Sequence, residues 1–165
     1  MKLLRNILLT AVLIIIGLSA TTYFACKKDK CVNVICLNLG ACDNGNCTCP
    51  VGYEGLRCDT LSRDKFIYTF NGGDECYIPS VYTQYHITFL ADTSNPLQML
   101  MKNFRNNQFD SAFCTMWSTD SFSFNGNNNS TTFNGTGKLY HDTLKMSYIV
   151  YFDTSQYTCT YIGGR

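Results

Sequence analysis

Charge is scarce in this chain. Only 15 % of its 165 residues are Asp, Glu, Lys or Arg, and thirteen basic against twelve acidic side chains leave a formal charge of +1. That balance supplies neither a basic stripe nor an acidic tail, so no nucleic-acid partner is expected. Histidine is scarcer still, with His86 and His141 alone. The chain lacks a His-Glu-x-x-His pair, a Gly-x-Ser-x-Gly elbow, a phosphate-cradling glycine loop and a paired-carboxylate cluster. Each such spacing is what its chemistry needs, so neither enzymatic activity nor a cofactor is expected. His86 falls mid-strand opposite an apolar face, and His141-Asp142 reads as a hairpin turn before it reads as a dyad. An amphipathic helix of useful length is also missing; Leu97 to Phe104 is the one segment where a helix fits.

Cysteine and aromatic residues fill the gap. Ten cysteines, eleven Tyr and eleven Phe stand among many Asn, Thr, Ser and Gly. Clustered cysteines at this density imply disulfides made in an oxidising compartment. The remaining composition suits strands and turns. One small disulfide module and one modest β-domain account for the length.

At the N-terminus, Lys2 and Arg5 form a positive start, Ile7 to Leu18 an apolar stretch, and Ser19 to Ala25 lead to Cys26, the layout of a secretory signal. The uncharged run from Ile7 to Ala25 also admits a transmembrane anchor. Lys27, Lys28 and Lys30 would then follow it on the outer side, against the positive-inside bias. Ala25-Cys26, a small residue before a cysteine, resembles a bacterial lipoprotein signal. The continuation Cys26-Lys27-Lys28-Asp29 looks like many lipoproteins of the Bacteroidota. The resemblance implies that residues 1–25 are removed, that lipidation falls on Cys26, and that residues 26–30 form a lipidated linker. The membrane is then a partner through that lipid, since several acyl chains on one residue anchor firmly. The expected location is the cell envelope at the outer membrane, and surface exposure is compatible with it.

Six cysteines follow at 31, 36, 42, 47, 49 and 58. So short a stretch, with few large apolar side chains, cannot bury a sufficient core, and covalent staples must hold it. Spacing alone leaves fifteen pairings open. Zinc fails as an alternative, because no C-x2-C pair and no nearby histidine is present. The run Cys47-x-Cys49-x2-Gly52-Tyr53-x-Gly55-x2-Cys58 resembles the C-terminal signature of an EGF-like domain, covering residues 31–59. That resemblance implies the pairs Cys31–Cys42, Cys36–Cys47 and Cys49–Cys58. It also implies turns at Gly52 and Gly55 and packing of Tyr53 on the minor sheet. Calcium, which some such domains bind, is not expected: Lys27, Lys28 and Lys30 have the wrong charge, and Asp43-Asn44 reads as a turn. No metal site is expected anywhere.

From residue 60 to 165 the pattern alternates at period 2. Leu144, Met146, Tyr148, Val150 and Phe152 share one face, as do Val81, Tyr85, Ile87 and Phe89. Clusters at Asn71-Gly-Gly, Thr93 to Pro96, Asn125 to Asn129 and His141-Asp142 read as punctuation. About eight strands result: roughly 66–70, 80–90, 97–103, 112–117, 121–124, 131–140, 143–153 and 157–162. Short connections imply an antiparallel meander, closed as a barrel or folded as a two-sheet sandwich. Gly135 and Gly137 mark sharp coiling or close approach. The run Phe133 to Leu139, with its hairpin to Leu144-Lys-Met-Ser-Tyr148, resembles small lipocalin-like domains of bacterial lipoproteins. A bridge Cys76–Cys159 would pin the early and final strands, leaving Cys114 as a thiol that packs. Asp59-Thr-Leu, Asp110-Ser-Ala and Asp142-Thr-Leu resemble bacterial O-glycosylation triplets.

The expected protein is all-β: a small disulfide-rich module, then an antiparallel β-domain. Its expected role is an anchored extracytoplasmic interaction or adhesion module with a protein or glycan partner. A carrier of a small apolar ligand in a lipocalin-like barrel is the alternative, and a secreted EGF-like protein without lipid is a third reading. The first predicts an exposed aromatic patch, the second a concave apolar pocket.

Overall fold

A computed structural model describes residues 29–77, 80–107, 111–128 and 131–165, together with helical pieces at 5–7, 10–12 and 14–16. The expected signal peptide and Cys26 therefore lie mainly or wholly outside the described residues. Among these residues no helix is long and apolar enough to cross a membrane.

The disulfide module contains two small antiparallel sheets. Strands β1 (Ala41–Asp43) and β2 (Asn46–Thr48) pair in one, β3 (Tyr53–Glu54) and β4 (Thr60–Leu61) in the other. Its bridges are Cys31–Cys42, Cys36–Cys47 and Cys49–Cys58, the pairs the resemblance implies. Gly52 and Gly55 have φ of 95° and 94°, the left-handed region that costs glycine nothing. Strand β4 lies past residue 59, so the second sheet crosses the expected boundary. The Ser62 amide donates to the Gly52 carbonyl (2.9 Å), and Lys65 pairs with Glu54 at 2.6 Å.

Eight further strands close into an antiparallel barrel: β5 (Thr69–Tyr77), β6 (Ser80–Ala91), β7 (Gln98–Lys102), β8 (Ser111–Met116), β9 (Ser121–Asn128), β10 (Thr131–Tyr140), β11 (Thr143–Phe152) and β12 (Ser155–Gly164). Each pairs with its neighbour in sequence, and β12 returns to β5, with Cys159 directly opposite Cys76. The two cysteines are bridged there. Closure removes the sheet edges that a sandwich would leave. The inward set on β11 is Leu144, Met146, Tyr148 and Val150, all buried, as its alternation predicts; Phe152, at the strand end, is exposed.

Two short 3-10 helices turn this barrel into a packed core. Residues Ser62–Phe66 lead into β5 and bury Phe66, whose ring meets Phe122 edge-on at 5.3 Å. The buried Arg63 holds this segment to the β6–β7 loop, donating through Nη1 to the carbonyls of Asp92, Asn95 and Gln98. Residues Phe104–Asn106, between β7 and β8, bury Phe104 against Phe133, Tyr148 and Phe124 at 4.7, 4.8 and 5.3 Å. Each buried ring contributes about 1.5–3 kcal/mol of transfer free energy, and each ring pair roughly 0.5–1.5 kcal/mol more.

The structure corrects two expectations. Residues 62–66 are a 3-10 helix rather than the start of a strand at 66, because Phe66 must turn inward to fill the barrel's lower end. Asn71-Gly-Gly and Asn125-Gly-Asn lie inside β5 and β9, not in turns. These glycines serve close approach. Gly72 faces the β12 backbone at Ile162 and Gly163, and Gly126 lies under the Phe133 ring. The expected strand at 97–103 is found as β7, and helical backbone begins only at Phe104.

The Gly135 and Gly137 spacing has the same cause. On the inner face Gly126 is paired with Phe133, Gly135 with Phe124 and Gly137 with Phe122. Each ring lies across the glycine opposite it, where a Cβ would collide. Replacing Gly137 with Ala should therefore cost about 1–3 kcal/mol by overpacking, read as a lower urea midpoint at unchanged slope. An unchanged midpoint would show that Phe122 can move aside. Replacing Cys76 and Cys159 together with Ser should cost about 2–4 kcal/mol, since the bridge closes a long loop.

Candidate functional site

Within the barrel, β5 places one carboxylate among the rings. Asp74 is 6 % exposed and accepts a hydrogen bond from the Tyr85 hydroxyl at 2.6 Å. Tyr148 also acts on that carboxylate. Yet neither Asp74 Oδ1 nor Tyr148 Oη completes a hydrogen bond of ordinary geometry. Burial raises the Asp74 pKa against the lowering effect of Tyr148, Tyr85 and the Arg105 charge. The Tyr161 hydroxyl donates to the Phe70 carbonyl at 2.8 Å. Cys114 is buried on β8, and burial pushes its thiol far up, so it packs rather than reacts. These groups are packed among the buried rings of the core.

The outer wall is different. Trp117 follows β8 and is 58 % exposed; Tyr140 ends β10 and is 52 % exposed. With Ser121, Thr136, Gly137, Lys138, Lys145 and Ser147 they line a cleft of about 290 Å³. Register builds its floor. The two-residue turn at His141-Asp142 sets Tyr140 opposite Thr143, and therefore Lys138 opposite Lys145. Like charges directly opposite on neighbouring strands destabilise a sheet. Only one of the two is neutralised: Asp120 holds Lys138 at 3.3 Å. The Asp120 carboxyl is kept below its ordinary pKa by hydrogen bonds from Ser121 and Ser118 and by Lys138 itself. Lys145 forms no ion pair among the described residues. One step along the wall, Thr115, Ser123, Thr136, Ser147 and Thr160 stand side by side across five strands, a continuous row of hydroxyls.

A second depression of about 650 Å³ is lined by His86, Thr88, Leu90, Lys102 and Asn103, among others. It has no ring beyond the imidazole to stack a ligand.

The sequence-predicted residues fall as follows. Cys26 and Asp110 lie outside the described residues. Gly52, Tyr53 and Gly55 form the last loop of the disulfide module, with Gly52 against Leu97 of the barrel. His86 is exposed on the outer wall, its carbonyl accepting from the Asn103 side chain at 2.7 Å. His141 turns at φ 56°, and Asp142 is engaged by Arg165 at 2.7 Å, so the two do not form a dyad. Among the described residues no cluster of His, Cys, Asp or Glu is arranged to hold a metal ion. Sequence reasoning missed Asp74, Trp117, Tyr140 and the lysine pair. The lysine pair was readable, because a two-residue turn fixes which residues face each other.

Comparison with protein-family models, with curated proteins and with solved structures returned no match.

The buried carboxyl gives a pH test. With its folded pKa above the unfolded one, Asp74 binds a proton more readily in the native state. Its contribution to stability is thus present below the ordinary value of 3.8 and lost as pH rises through the folded value. Asp74→Asn removes that loss. Its thermal midpoint should equal or trail the parent's in acid and exceed it at neutral pH, the gap widening with pH. A gap that is constant with pH would refute the assignment.

Proposed function

We propose that this chain is an envelope lipoprotein whose barrel acts as an extracytoplasmic interaction module. On this reading Cys26 carries the lipid, the disulfide module is an EGF-like spacer, and the barrel presents its outer wall. The filled interior carries the reading. Phe66 closes the lower end and Phe104 the upper, with Phe89, Phe122, Phe124 and Phe133 buried between them. Rings are also exposed outside: Phe113, Trp117, Tyr82 and Tyr140 are each more than half accessible. A carrier needs the opposite distribution, a hollow lined by apolar groups. Binding at the wall therefore has better physical support than binding within. The observed bridge pattern supports the EGF-like reading of residues 31–59.

The test is the intact, non-reduced mass of the protein extracted from membranes, with solvent extraction of the same sample. The expected result is a chain starting at Cys26, heavier by its acyl groups and lighter by the hydrogens of four bridges, with no stoichiometric small apolar ligand. A chain starting elsewhere without lipid would overturn the anchor. A ligand extracted at one per chain would overturn the wall in favour of the carrier.

A further inference from the structure

We propose that the cleft between Trp117 and Tyr140 binds an acidic saccharide, a sugar ring bearing a carboxylate or sulfate, with Lys145 as its charge partner. This rests on the interaction-module reading and names the ligand class of that wall.

Three observations converge on this chemistry. The first is the pair of aromatic faces. The Lys138 ammonium stands over one face of the Tyr140 ring, 5.2 Å from its centroid; the exposed Trp117 and the remaining face of Tyr140 offer flat apolar surfaces to the C–H faces of a pyranose. The second is the polar lining. Thr136 and Ser147 lie in the floor, and the hydroxyl row runs on through Ser123 and Thr115 on one side and Thr160 on the other. Outward Ser and Thr are ordinary on a strand, so this row alone decides nothing. It does match successive hydroxyls of an oligosaccharide lying across the strands. The third observation sets the charge. Lys138 and Lys145 face each other, an arrangement that costs stability, yet Asp120 partners only Lys138. Lys145 brings to the cleft a cation that has no ion-pair partner among the described residues, beside Ile162 in register. An arrangement that breaks a local pairing rule without local compensation is expected at a binding site.

An anion alone would satisfy Lys145 but leave the Trp117 face unused. A neutral sugar would use the rings but not the lysine. The occupant that uses both is a charged sugar. An acidic peptide would meet the cation too, and it is distinguished by experiment.

Trp117 is the only tryptophan in the chain, so its fluorescence reports on this cleft alone. The full chain in detergent is titrated with a galacturonic-acid oligomer, with its methyl-esterified form, and with poly-glutamate. Saturable change in Trp117 emission is expected with the acid oligomer, at least about tenfold tighter than with either control. Calorimetry with Trp117→Ala and Lys145→Gln should each show about a tenfold or greater loss, while Lys145→Arg keeps binding. Lys145→Gln carries a second signature. By removing the opposed charge it should raise the urea midpoint while weakening binding, a combination that a purely structural lysine would not give.

Equal binding of poly-glutamate would reduce the cleft to a general anion or peptide surface and overturn the proposal. Equal binding of the esterified oligomer would remove the role of Lys145 and overturn it as well. Absence of any saccharide response would do the same. None of these outcomes alters the mass or the extracted ligand, so the interaction-module reading stands or falls separately.

Discussion

An eight-stranded barrel has an interior of nearly fixed width, and everything else in this domain follows from filling it. Phenylalanine rings on β9 and β10 lie flat across glycines on the facing strand. Gly137 takes Phe122, Gly135 takes Phe124, and Gly126 takes Phe133. A side chain at any of these glycines would displace a ring. A missing ring would leave a void that costs stability by lost contact. Register, strand coiling and core volume are thus set by one repeated contact. The two 3-10 plugs extend it to both ends.

Filling the inside determines what the outside can do. Phe66 and Phe104 are buried in the lumen and take up space that an open lipocalin-like cup would need. On the proposed interaction-module reading, recognition falls to the outer wall, which in an antiparallel sheet carries every second residue. The lysine pair, the hydroxyl row and the rings at the β8 and β10 ends stand on that wall. Rigid strands hold them, while Asp120 fixes Lys138 from the β8–β9 turn. Asp74 is a carboxylate committed to the interior. Its cost is partly offset by Tyr85, and the remaining imbalance makes it a natural reporter of the core.

Much of the architecture was legible in the chain. The alternation Leu144 to Val150 and the short turn at His141-Asp142 define a hairpin and its register without any tertiary information. Cys76 and Cys159 read as a staple because one precedes the second expected strand and the other lies in the last, where a meander closes. The glycines misled. Asn71-Gly-Gly and Asn125-Gly-Asn have turn composition, yet they lie mid-strand, since local propensity cannot report a ring arriving from a neighbouring strand. The Ser62–Phe66 helix was hidden for a similar reason. Its single inward Phe has meaning only once there is a lumen to plug.

The sequence by itself determined the all-β class, the disulfide-rich character of the N-terminal module and the number of barrel strands. These depend on local pattern: period-2 alternation, cysteine spacing and turn chemistry. Only the tertiary structure decided between barrel and sandwich and placed Phe66 and Phe104 in the interior. Those outcomes depend on whether β12 reaches β5 and on which rings meet inside. Both are long-range contacts, and no window along the chain contains the two partners that make them.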